Sequence, residues 1–114
     1  MQSPDNLLTI RKLFNFSLNI MDFHDELCDQ KKAPIAKRVW LSTLNGVCAF
    51  QKFLAAEKMM EKKENITQAS AHFKNVIYWL EQCEKSGYLF DEKLIIEAHE
   101  LFEFCRSQNL ANAV

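Results

Sequence analysis

Apolar residues recur along the chain at alternating spacings of three and four. The first run is Leu13, Phe16, Ile20, Phe23 and Leu27, with Ile10, Phe14 and Met21 beside it. That spacing puts the five on one face of a helix and lets the flanking residues widen the stripe. A second run, Trp40, Leu44, Val47, Phe50 and Leu54, is spaced as the buried face of another helix. Ile66, Ala69, Phe73, Val76, Leu80 and Cys83 mark a third. Leu94, Ala98, Leu101 and Cys105, flanked by Ile95 and Phe102, mark a fourth. The pattern predicts helices over about 5–29, 34–63, 66–86 and 91–108.

Punctuation between the runs agrees. Ser3 or Asp5 can cap the first helix, with Pro4 tolerated in a first turn. Pro34 suits the first turn of the second and disfavours helix at Ala33. Lys58, Lys62 and Lys63 fall in the predicted last turn of the second helix, where the dipole favours cations. Asn65 or Thr67 can cap the third. Gly87 is placed for a left-handed residue just past its end. Asp91 can cap the fourth, and the tail from Asn109 is expected to fray. Long helices joined by short loops predict an all-α, antiparallel up-down-up-down four-helix bundle, with residues 1–114 forming one domain.

One stretch departs from a plain helix interior. "WLSTLNGVCAF" (40–50) carries Ser42, Thr43, Asn45 and Gly46 together. Glycine costs about 1 kcal/mol relative to alanine inside a helix, so something must offset it. Small residues there predict a close helix–helix approach, within the bundle or between subunits.

Only four residues are Gly or Pro, which argues against a turn-rich β architecture. The net charge of -1 provides no global basic field for nucleic acid. No apolar run is long enough for a transmembrane span, and the N-terminus lacks a signal-peptide pattern. A cytoplasmic protein is expected. Cys28, Cys48, Cys83 and Cys105 are widely spaced and lie on or near apolar stripes, as expected of buried, reduced thiols. Their spacing is wrong for a zinc site.

None of His24, His72 and His99 has a carboxylate at the Glu-x-x-His spacing of di-iron bundles, and no H-E-x-x-H, phosphate loop or G-x-S-x-G motif is present. The Arg-then-His spacing of helical ribonuclease toxins is missing. A Cys–His nucleophile pair would have to be assembled in space. No catalytic residue, metal or cofactor is therefore expected.

Basic residues cluster at Lys31, Lys32, Lys37 and Arg38, at one end of the predicted bundle. Positive charge at a helix N-terminus opposes the dipole, so the cluster is a candidate contact for phosphate or an acidic partner. A solvated loop is the plainer alternative. The second basic group, from Lys58 to Lys63, lies about 35 Å away along the helix. Tyr78 and Trp79 are consecutive on the third helix and cannot share one core seam. Such surplus apolar faces point either to a wide core stripe or to a second burial surface.

The order of these features is that of a known group. Lys37 and Arg38 precede Ser42 and Asn45, three apart. Ala69–Ser70 opens a long amphipathic run that ends Gly87-Tyr88-Leu89. Over about residues 7–106 the chain resembles the small four-helix-bundle proteins first noticed in intervening sequences of bacterial large-subunit ribosomal RNA genes. The accessory variability proteins of diversity-generating retroelements share that fold. The resemblance implies a bacterial homo-oligomer, often pentameric, that associates with nucleic acid or a reverse transcriptase. The expectation is a non-enzymatic oligomeric adaptor for a protein or ribonucleoprotein partner. Its polar contacts would be Lys31, Lys32, Lys37 and Arg38, and its packing or interface positions Ser42, Asn45, Gly46, Tyr78 and Trp79. The alternative is direct RNA or DNA binding through the basic end.

Overall fold

The computed structural model describes the backbone of residues 4–112 and the side chains of residues 8–109. Four helices follow one another: α1 (Pro4–Asp29), α2 (Ala33–Ala55), α3 (Met59–Lys85) and α4 (Glu92–Asn112). Connections of three to six residues force antiparallel neighbours, and the result is an up-down-up-down bundle 44 Å long. The chain packs α1 on α2, α2 on α3 and α3 on α4. The seam between α4 and α1 is the thinnest of the four. Phe50 of α2 and Phe104 of α4 meet across the diagonal, with ring centres 6.0 Å apart.

Three of the four predicted stripes form the core. Leu13, Phe16, Ile20, Phe23 and Leu27 are buried on α1. All six positions from Ile66 to Cys83 are buried on α3, as are Leu94, Ala98, Leu101 and Cys105 on α4. Fully burying each large apolar side chain stabilises by about 1.5–3 kcal/mol. Phe14 and Met21 do not widen the α1 stripe; Phe14 is 64% exposed and points away from the core.

The α2 stripe is different from the expected one. Its inward residues are Ala36, Val39, Thr43, Gly46, Ala49, Phe50 and Phe53. Trp40, Val47 and Leu54 are only partly buried against the core, and Leu44 is exposed. The reason is steric. Phe73 of α3 is fully buried and lies against the α2 backbone, so a Cβ at Gly46 would sit 3.1 Å from its ring carbons. A large residue on this face would hold the two helices apart. Small ones let α2 and α3 approach, and the bulky neighbours turn to the flank. Thr43 can be buried because its hydroxyl donates to the Val39 carbonyl at 2.9 Å. Ser42 is half-buried beside this contact, and Asn45 faces solvent.

The second boundary also differs. The break between α2 and α3 falls at residues 56–58, not at 64–65, so Asn65 and Thr67 lie within α3 rather than capping it. Ala56 turns extended (ψ 135). Lys62 folds back from the first turns of α3, donating to the Phe53 carbonyl at 3.2 Å with its ammonium 5.2 Å from the Phe53 ring. This lysine satisfies a carbonyl left open at the end of α2. Lys58, Lys62 and Lys63 therefore begin α3 rather than end α2.

The other end signals are met by specific bonds. Asp91 caps α4, accepting from the Leu94 amide at 3.2 Å. Gly87 is left-handed (φ 70), with Tyr88 N–H bonded to the Cys83 carbonyl and Gly87 N–H to that of Glu84, a Schellman ending. Residues 109–112 continue α4 past its expected end. The caps proposed at Ser3 and Asp5 lie outside the described side chains.

Gly46→Leu should cost about 1–3 kcal/mol, since overpacking against a buried ring cannot be relieved by rotation into solvent. Gly46→Ala gains helix propensity yet presses on Phe73. Pairing it with Phe73→Leu should cost less than the sum of the single changes, as read from denaturant melts. Additive losses would show that the ring does not limit the approach.

Candidate functional site

One end of the bundle is built from the C-termini of α1 and α3 and the N-termini of α2 and α4. The chain leaves α1 through a second Schellman ending. Lys32 N–H bonds to the Leu27 carbonyl at 2.8 Å and Lys31 N–H to that of Cys28 at 2.9 Å. The left-handed position here is occupied by Lys31 (φ 63), where glycine is the usual solution. A side chain in this conformation costs about 1–2 kcal/mol. It turns Lys32 across the end of the bundle, where its ammonium sits 4.4 Å from the centre of the Tyr88 ring.

A second pair lies beside it. The Arg38 guanidinium sits 5.6 Å from the Trp79 ring centre. Trp79 in turn meets Tyr78 edge-on, with ring centres 4.9 Å apart at 74°. Tyr78 and Phe90 are each 52% exposed. Each such cation–π pair contributes about 0.5–1 kcal/mol; Phe90 instead lines a small cavity with Asp22 and Phe23 of α1 and Leu94 of α4. Tyr88 and Phe90 lie in the α3–α4 connection and were not singled out by periodicity, which says nothing about connections. Lys37 is not part of the cluster. It follows α2 round by about 100° from Arg38 and faces outward. Acidic neighbours Asp29, Glu84, Asp91 and Glu92 keep the end mixed in sign.

His24 forms a smaller cluster. Its Nδ1 is 3.1 Å from Asp25 Oδ1 and its Nε2 is 3.7 Å from Cys28 Sγ. The ring centre lies 6.2 Å from that of Trp40 on α2. The i, i+4 spacing of His24 and Cys28 is the signal in the sequence that brings them to one face. The trough between α1 and α4 and the smaller cavity near Leu89 are both lined by other residues. His72 is half-buried and His99 exposed. Among the described residues, no group of three His, Cys, Asp or Glu side chains stands together as a metal site would require.

The cysteines divide. Cys83 and Cys105 are buried, and burial pushes their thiols up to about 11 and about 12. Cys28 is half-buried. Cys48 is exposed on the outer face of α2, contrary to the expected burial, because the core face of α2 passes through Gly46 and Ala49 instead. Burial also raises the Glu97 carboxyl above its ordinary value, with Glu100 and Asp91 adding to the rise and Lys93 opposing it. Glu97 Oε1 is buried without a hydrogen-bond partner. No described helix is long and apolar enough to cross a membrane.

No protein-family model matches the chain, and no curated protein or solved structure matches it.

Lys31→Gly should stabilise the fold by about 1 kcal/mol in thermal or denaturant melts, since it removes the left-handed strain. An unchanged or lower stability would show that the lysine side chain contributes more than its backbone costs. Thiol alkylation of the folded chain near pH 8 should modify Cys48 and Cys28 and spare Cys83 and Cys105, as read by intact mass. Both buried thiols hold their protons more tightly in the folded state. The stability they contribute is therefore complete below about 9 and is lost as pH rises through about 11 to 12.

Proposed function

We propose that the protein is a non-enzymatic helical adaptor that self-associates and holds a protein or ribonucleoprotein partner at its cation–aromatic end. The observation that supports this most is the pairing of Lys32 with Tyr88 and of Arg38 with Trp79, with the exposed Tyr78 ring against Trp79. Arginine and large rigid rings supply much of the energy of protein interfaces, because they bury wide area at low entropic cost. The exposed rings and cations of this end offer such a surface ready formed. The acidic side chains at the same end suit a protein partner better than a bare phosphate chain, which they would repel. In the retroelement setting that the resemblance implies, that partner is a reverse transcriptase.

Direct binding of single-stranded RNA or DNA is the second reading, favoured by the exposed ring of Tyr78 against Trp79, over which the Arg38 guanidinium lies. Bases stack on such rings, and cations track the phosphates.

The test replaces Lys32 and Arg38 together by glutamate and compares partner retention with that of the native chain. The affinity for a protein partner should fall at least tenfold, with the fold unchanged by circular dichroism. Binding that weakens steeply and linearly in log–log plots against salt, with excess absorbance at 260 nm, would favour the nucleic-acid reading. Retention indifferent to both substitutions would remove this end from the account.

A further inference from the structure

The most thinly packed seam of the bundle holds an open trough. Between α1 and α4 lies a trough of about 1260 Å³, lined from α1 by Lys12, Asn15 and Leu18 and from α4 by Ile96, Leu101 and Phe104 among others. Leu18 and Ile96 are exposed, so apolar surface faces water on both walls. Four glutamates, Glu92, Glu97, Glu100 and Glu103, line the same trough against two lysines, Lys12 and Lys93. The one side-chain ion pair described across it is Lys12–Glu100, at 3.4 Å and exposed on both sides. Such a pair contributes little and is easily displaced. The trough therefore sets apolar surface of Leu18, Ile96 and Phe104 among carboxylates: Glu92, Glu100 and Glu103 are exposed, Glu97 is half-buried, and Glu103 also pairs with Arg106 on its own helix at 2.9 Å.

The complementary surface is on the same chain. α2 contains no acidic residue. Lys37, Leu41, Leu44, Cys48 and Lys52 follow one another at i, i+4, i+7, i+11 and i+15, which is a single outward stripe. All five are exposed. The stripe is basic at both ends and apolar in the middle, and it runs about 22 Å along the helix. The glutamates from 92 to 103 span about 16 Å of α4. None of Lys37, Lys52, Glu92 and Glu97 is in a described ion pair. Charge and apolar content are complementary between the two surfaces, and the glutamates span about three quarters of the stripe's length.

We propose that the α1–α4 trough of one copy receives the outer face of α2 from a second copy. Leu41 and Leu44 would lie on the walls formed by Leu18 and Ile96, with Lys37 and Lys52 among the glutamates of the trough. The contact joins two different surfaces, so each copy has one to give and one to receive. Assembly then proceeds head to tail until it closes. This rests on the self-association included in the proposed function and names its interface, which reaches that end through Lys37 and Glu92 but leaves Lys32, Arg38 and the rings they cover outside it.

The test is a charge exchange on the full chain, read by size-exclusion chromatography with light scattering. The native chain should run as a multiple of 13.3 kDa. A variant with Glu100→Lys and Glu103→Lys should be monomeric, and so should one with Lys37→Glu and Lys52→Glu. An equimolar mixture of the two should assemble again, since each reversed surface then finds its match. Recovery on mixing also shows that both variants are folded. Reversals that leave native assembly intact overturn this contact while self-association stands. Variants that become monomeric but fail to recombine overturn it equally. A monomeric native chain overturns both, and so the contact falls even if the trough then takes up a separate lysine- and leucine-rich helical peptide.

Discussion

Gly46 has no side chain, and the ring of Phe73 occupies the space one would fill. That approach fixes the distance between α2 and α3, the most closely packed pair in the bundle. It dictates that the inward stripe of α2 be small along most of its length: Ala36, Val39, Thr43, Gly46 and Ala49. Helix packing admits either large residues at a wide spacing or small ones at a narrow spacing. This bundle uses the second solution along α2 from Ala36 to Ala49 and places large residues, Phe50 and Phe53, only at its C-terminal end. Burying Phe73 completely offsets the helix propensity that Gly46 gives up.

The same constraint shapes the outside. A helix with as many apolar residues as α2 must place its large ones somewhere. Once the core face is taken by small residues, Trp40, Val47 and Leu54 fall on the flanks, and Leu41 and Leu44 face water. The surplus apolar surface of α2 is thus a consequence of how its core face packs. Arg38 and Lys32 lie at the N-terminal end of that helix and fold onto rings of α3 and of the α3–α4 connection. There the rings stabilise cations that the helix dipole opposes.

Periodicity read three stripes correctly because on α1, α3 and α4 the largest apolar residues are also the buried ones. It misread α2 because a hydrophobic pattern weighs residues by size and apolarity, and there the buried positions are the least conspicuous. The cluster of Ser42, Thr43, Asn45 and Gly46 was the legible trace of that face, and within it Thr43 and Gly46, three apart, turn inward. The break after Ala55 was not legible. Neither glycine nor proline marks it, and the ending depends on Lys62 reaching back to a carbonyl nine residues earlier. The basic end was visible as a run of cations. Its aromatic half was only partly so: Tyr78 and Trp79 stood out as neighbours on a helix, but Tyr88 comes from a connection whose course only the fold defines.

The two candidate surfaces use different parts of one helix, and that division follows from geometry. Lys32 and Arg38 are committed to the end of the bundle by the rings they cover. Lys37, Leu41, Leu44, Cys48 and Lys52 run down the side, on a face centred about 80° from Arg38. A contact along the side of α2 therefore leaves the end open, and a partner held at the end leaves the side free for a second copy. Were both functions placed on one face, a partner and a second copy would compete for it. Here the close approach at Gly46 leaves the outer face of α2 apolar, while the turn at Lys31 directs the cations over the end. Two short structural decisions, one in the core and one in a connection, are enough to give the apolar outer face of α2 and the cation–ring pairs at the end different positions on the bundle.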